Sequence, residues 1–287
     1  MKEEVRNNGN QESFVAVSGD RSFEPLADAA FHMGEKFSAQ VMGLFVQAPA
    51  LVIPLFNDAA SVEEVRTIAA TAQERRREAA AKAESMFKAA ADRFMQVESA
   101  YRSATGDVEG SFVRHARLAD VSVITLPDPF EDGFWGSSYW LGVQNATLFR
   151  SGRPVLLVPP QAGRPNFETV VIAWKQSLEA ARAIAAAQPF MAMAREVHLF
   201  TINDGTKAVT SLREAEEYLS LHYDEVRSEV VSGEPHQVGK LLLTQAIRLG
   251  ALLVMGAFSH WRWQERLLGG VTDYVLREAS MPVLMMH

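Results

Sequence analysis

Strand-length apolar runs separated by helix-length segments fill this chain, and the series occurs twice. In the first series, residues 14–17, 41–46, 95–101, 121–126 and 154–158 read as strands, with helices expected at 25–37, 61–91, 109–117 and 139–149. In the second, strands are expected at 169–173, 197–202, 225–231, 252–256 and 282–286, and helices at 178–193, 212–222, 238–249 and 272–279. The helical segments carry apolar residues at helical spacing, as Leu26, Ala29, Ala30, Met33 and Phe37 do. Ser61 followed by Glu64 forms a capping box at the start of the longest helix. Strands that alternate with helices run parallel, and a parallel sheet must be covered on both faces. Each series therefore specifies an α/β unit: a parallel sheet of five strands with helices on both sides.

The two series superpose by offset. Leu44-Phe45 precedes Leu199-Phe200 by 155 positions, and Pro154-Val155-Leu156 precedes Pro282-Val283-Leu284 by 128. The first unit thus carries 27 extra residues between its second and last strands, and 57–94 is the stretch expected to hold them. The run from Gln161 to Phe167, with Gly163 and Pro165, has the composition of a linker. The expected organisation is a polar tail at 1–13, a first domain at 14–160 and a second at 167–287. The last strands, 154–158 and 282–286, are apolar, and an uncovered apolar edge is a liability. Two separate five-stranded sheets are expected to meet through them as a pseudo-dimer.

Composition narrows the function. The chain has no cysteine, which removes disulfides, thiolate metal sites and a cysteine nucleophile. Its formal net charge of −7 disfavours nonspecific nucleic-acid binding. No apolar run approaches the roughly 18 residues a membrane helix needs, and 1–13 is too polar for a secretory signal, so a cytoplasmic protein is expected. The seven histidines form no i, i+4 pair, so no metal site is expected. A G-x-S-x-G elbow is missing too, and no catalytic residues are assigned. The basic cluster from Glu74 to Glu78 reads as a solvated helix face.

One stretch carries chemistry. Residues 256–272 follow an apolar strand and lead into a helix through Gly269-Gly270. In open α/β sheets ligands sit outside the carboxyl ends of strands, and a glycine pair opening a helix lets backbone N–H groups approach a phosphate. The runs Leu252-Leu253-Val254-Met255-Gly256, Leu267-Leu268-Gly269-Gly270-Val271-Thr272 and Met281-Pro282-Val283-Leu284 resemble the C-terminal signature of the universal stress protein family. Val171-Ile172-Ala173-Trp174-Lys175-Gln176-Ser177 resembles the opening of that family's domain. The resemblance covers both halves and is closer in the second. It implies strand order 3-2-1-4-5 in each half.

The resemblance also implies an ATP loop of glycine, two residues, glycine, nine residues, glycine, then serine or threonine, with Mg²⁺ accompanying the nucleotide. The spacing is kept by Gly256, Ser259, Gly269 and Gly270, but Ser259 replaces a glycine and Gly270 replaces the hydroxyl residue. Thr272 offers a hydroxyl two residues on. Lys175 stands where nucleotide-binding members have an aspartate, so a ribose acceptor gives way to a cation suited to a phosphate or another anion. The ligand-binding set implied is Ala173, Lys175, Ile202, Gly256, Ser259, Gly269, Gly270, Val271 and Thr272. The first half has Ser18 at the aspartate position, Pro127 and Pro129 where N–H groups would be needed, and Gly133 and Gly136 at the wrong spacing. It reads as a degenerate partner domain. Trp261 and Trp263, flanking Arg262, read as packing against the other half or, alternatively, as covering an adenine, gripping an apolar ligand or anchoring a protein partner.

The function expected is a non-enzymatic stress-response protein that holds a small ligand in its second domain, ATP or another anion, with low affinity. It would act through protein contacts, as a pseudo-dimer or a homodimer of such chains. Two alternatives stay open. One is an ATP-using enzyme of the adenine-α-hydrolase group, whose S-G-G-x-D-S loop Val17-Ser18-Gly19-Asp20-Arg21-Ser22 faintly resembles. The other is an interaction module with no ligand.

Overall fold

The computed structural model describes residues 12–18, 22–48, 62–126, 137–202, 206–257 and 270–287. The first half runs β1 (Glu12–Ala16), α1 (Phe23–Phe37), β2 (Gln40–Gln47), α2 (Val62–Arg93), β3 (Ser99–Thr105), α3 (Val108–Ala116), β4 (Val121–Thr125), α4 (Ser137–Arg150), β5 (Val155–Val158). The second runs β6 (Thr169–Ala173), α5 (Leu178–Met193), β7 (Glu196–Ile202), α6 (Thr206–Ser220), β8 (Val226–Val231), α7 (Val238–Leu249), β9 (Leu252–Gly256), α8 (Val271–Glu278), β10 (Val283–Met286).

The strands lie in the order β3-β2-β1-β4-β5-β10-β9-β6-β7-β8. Each half therefore has the order 3-2-1-4-5, and every neighbouring pair within a half is parallel. The halves meet through their last strands, as expected. The expectation of two separate sheets is corrected, because β5 and β10 pair antiparallel, with Val283 opposite Leu157, Leu284 opposite Leu156 and Met285 opposite Val155. The result is one continuous ten-stranded sheet. Hydrogen bonding there satisfies the backbone groups that two abutting edges would leave unpaired.

Two hydrophobic cores cover the sheet's two faces, and each spans both halves. One gathers α1, α2, α5 and α6, with Phe31, Phe87, Phe190 and Leu212. The other gathers α3, α4, α7 and α8, with Phe112, Trp140, Leu243 and Val275. Along β5 and β10 the side chains alternate between them: Leu156 and Leu284 enter the first, Val155, Leu157, Val283 and Met285 the second. The extra length of the first half lies where expected, with 32 residues in α2 against 15 in α6. At 1.5 Å per residue, α2 is about 48 Å long. Its firmly buried contacts come late, from Ala83, Phe87 and Ala90, while Ile68 is 61% exposed.

Two elements differ from the sequence reading. The third strand was expected at 95–101 and is formed by Ser99–Thr105. Met95 and Val97 suggested a strand, yet Met95 is exposed in the turn after α2 and Val97 plugs the core. The strand itself is a sheet edge, so its sequence is mostly polar. Helix α6 begins at Thr206, six residues before the expected Leu212, because its first turns are polar. The Ser61 capping box lies outside the described residues. Residues expected to form a linker are firmly held. Arg164 pairs with Asp28 (3.5 Å) and lies over Phe94, while Phe167 stacks on His32 and packs against Phe37 and Phe190.

This junction generates two predictions. Leu284 is 1% exposed inside a core shared by both halves, so Leu284→Ala should cost about 2–5 kcal/mol. Urea unfolding should show one transition, with Trp140 of the first half and Trp174 of the second losing native fluorescence together. His32 is partly buried on Phe167, and burial first, then the Arg164 charge, hold its pKa below 6.5, with Lys36 acting alike and Glu35 opposing. The unfolded chain takes up this proton near pH 6.5 and the folded chain only at lower pH, so stability falls as pH drops through 6.5. His32→Phe should flatten that decline, as read from urea midpoints between pH 7.5 and 5.

Candidate functional site

The carboxyl ends of β7, β6 and β9 lie side by side at one edge of the sheet. Ala173 ends β6, opposite Phe200 and Met255; Ile202 ends β7 and Gly256 ends β9. Helix α8 runs back from this edge, with Gly270 exposed at its N-cap, Val271 partly buried and Thr272 buried. Seven of the nine expected residues thus gather along this edge: Ala173, Lys175, Ile202, Gly256, Gly270, Val271 and Thr272. Ser259, Gly269, Trp261 and Trp263 lie outside the described residues.

Lys175 sits two residues beyond β6 in a tight turn, where the Ser177 N–H donates to the Lys175 carbonyl (2.7 Å). The Ser177 hydroxyl in turn accepts from the Ala180 N–H (3.3 Å) and caps α5. Its neighbour Trp174 fixes the turn, donating Nε1–H to Ser211 Oγ (2.9 Å) and the Ser211 carbonyl (3.1 Å) of α6. The sequence reading gave Trp174 no role. Lys175 itself is exposed, and no described carboxylate pairs with it. Beside the turn, Gln176, Lys207, Thr210, Ser211 and Glu214 line an open cavity of about 220 Å³.

The glycines divide into two kinds. A Cβ on Gly256 would stand 2.7 Å from the Ala180 nitrogen and the Glu179 carbonyl carbon, both backbone atoms of the first turn of α5. Gly256 is therefore required by packing between β9 and α5. Gly270 has a φ of −71°, and no described atom lies within 4 Å of a Cβ there, so among the described residues no packing contact demands a glycine. Gly270 has no side chain to cap α8, whose first turn brings the helix dipole's positive end to this edge.

The first half is built differently at the matching place. The 128-residue offset that relates β5 to β10 also sets Gly142-Val143-Gln144 against Gly270-Val271-Thr272. The glycine of the first half is thus Gly142, not Gly133 or Gly136, and applying the offset to the sequence finds it. Yet α8 starts just after Gly270, whereas α4 starts at Ser137 and carries Gly142 in its interior. In the added turn Tyr139 donates its hydroxyl to the Val46 carbonyl (2.8 Å) near the end of β2, and burial pushes its phenol well above the usual range. Trp140 packs against it and is 2% exposed. Ser18, at the expected aspartate position, is buried 3.3 Å from Ser22. Asp20, Pro127, Pro129, Gly133 and Gly136 lie outside the described residues.

Among the described residues no three His, Asp or Glu side chains converge, and no helix is long and apolar enough to cross a membrane. Residues 173–287 match the model of the universal stress protein family. The whole chain shares its fold with a universal stress protein from Archaeoglobus fulgidus DSM 4304, at 16% identity and a TM-score of 0.68, over 96% of this chain and 98% of that one. A functionally unknown protein from Pseudomonas aeruginosa PAO1 is also similar, at 13% identity and a TM-score of 0.56, over 97% and 92%. No curated protein matches. This chain thus carries that fold as two five-stranded units in tandem, joined through β5 and β10.

The two glycines should respond unequally to alanine. Gly256→Ala forces backbone apart and should cost about 1–3 kcal/mol, whereas Gly270→Ala should cost no more than about 1 kcal/mol as a poorer cap. Thermal unfolding of both variants checks this.

Proposed function

We propose that this protein is a non-enzymatic stress-response protein whose second half holds a small anionic ligand, ATP with Mg²⁺ or another anion, with low affinity. The observation that carries the reading is the shared edge of Lys175 and α8. An exposed lysine with no described carboxylate partner stands at the same end of the sheet as a helix N-terminus opened by a glycine. Both contribute positive potential, and the helix offers N–H donors that phosphate oxygens accept. The match of residues 173–287 to the universal stress protein family model supports the same placement. The added turn of α4, which ties Tyr139 to Val46 and buries Trp140, favours the second half over the first. Contacts with other proteins, made from the cytoplasm, would convey the bound state.

Lys175→Asp separates charge from ribose recognition. Losing the cation removes a charge-assisted hydrogen bond, so affinity for pyrophosphate should fall about tenfold or more. The new carboxylate can accept from ribose hydroxyls, so affinity for MgATP should rise. Calorimetry on the full chain and the variant measures both. Equal affinities for both ligands in both proteins would leave Lys175 a surface residue. Native mass spectrometry of the purified chain identifies any ligand it carries.

A further inference from the structure

We propose that the first half has a positioning role in ligand binding, exerted through Phe149 and His287 on the strand end from which the 258–269 segment departs. Ala257, the last described residue before that segment, is fully buried. Its N–H donates to the Met286 carbonyl (2.8 Å), which carries the β9–β10 ladder one step past Gly256. Its carbonyl takes a hydrogen bond from His287 Nδ1, also at 2.8 Å, so a side chain supplies the next rung. The Nδ1–H is present in the imidazolium and in one neutral tautomer, and either one makes this bond.

The His287 ring is held from the other half. Phe149 of α4 meets it edge to face, with ring centres 5.0 Å apart at 82°. On its opposite flank the same strand end is pressed by the first turn of α5, as the 2.7 Å clearances at Gly256 show. That turn is capped by Ser177, whose N–H bonds to the Lys175 carbonyl. A continuous series of contacts therefore runs from Phe149 through His287, Ala257, Gly256 and α5 to Lys175. Both halves grip the strand end that leads toward Gly270, and only one of them carries the candidate site. The first half thus serves the site mechanically.

The inference rests on the proposed anion site for its ligand consequence, and the test separates the two. His287→Phe keeps a ring against Phe149 and loses the donor; His287→Asn keeps an N–H donor near the Nδ1 position and loses the ring. Phe149→Leu removes the edge-to-face contact from the first half alone. Amide exchange by mass spectrometry on the full chain reads peptides covering residues 253–272, with no ligand required. Exchange there should quicken severalfold in His287→Phe, which loses the donor, and in Phe149→Leu and His287→Asn, which both lose the ring contact between the halves, with thermal midpoints within a few degrees of the parent. Affinity for pyrophosphate should fall about three- to tenfold in all three variants. Unchanged exchange in His287→Phe or in Phe149→Leu overturns the inference. Quickened exchange without any pyrophosphate or MgATP binding by the parent chain upholds the mechanical coupling and defeats the anion site instead.

Discussion

Antiparallel pairing of β5 with β10 is the interaction on which the rest of the molecule depends. Each half alone would end in a four-residue apolar strand with one bare edge. Pairing the two edges satisfies both sets of backbone groups and removes both liabilities. It also fixes the relation between the halves. Because the two strands run oppositely, the carboxyl ends of β1 to β5 open at one end of the joined sheet and those of β6 to β10 at the other. The two crevices that an α/β fold provides are thereby kept apart and free to diverge.

That junction also decides how the cores are organised. Side chains of β5 and β10 alternate between two apolar layers, so each layer continues across the seam. Phe37 of α1 reaches Phe167 and Phe190 beyond it, and Arg164 ties the connecting segment back to Asp28. The halves share their hydrophobic stabilisation instead of each enclosing its own. The first half therefore has a structural part in the fold that needs no ligand. The added turn of α4 bonds Tyr139 to Val46, while Phe149 at the other end of the same helix meets His287 edge to face.

The candidate site was legible in part. Gly256, Gly270 and Lys175 stood out by spacing and by comparison with a family pattern, and the structure sets them on one edge. What spacing could not reveal is why each residue is there. Gly256 answers to the backbone of α5, a contact between segments far apart in sequence. Trp174 was passed over because an indole at a strand end reads as core, yet its N–H holds the lysine turn to Ser211. Gly142 went unnoticed because it lies inside a helix, although the 128-residue repeat offset points to it.

The sequence by itself determined the alternation of strands and helices, the doubling of the unit and the position of the long insertion. Those features follow from local periodicity, which depends on which face of an element is apolar. Four second-half elements, β6, α5, α7 and β9, fall at the limits that periodicity gave, since their apolar residues stop where the elements do. The edge strand β3 and the first turns of α6 escaped that reading, because an element partly facing solvent need not be apolar. Only the tertiary structure decided that the two sheets are one, that the connecting segment is pinned, and that the first turn of α4 ties Tyr139 to β2. Each of these depends on hydrogen bonds and contacts between residues 93 or more positions apart, and such pairings leave no period in the chain.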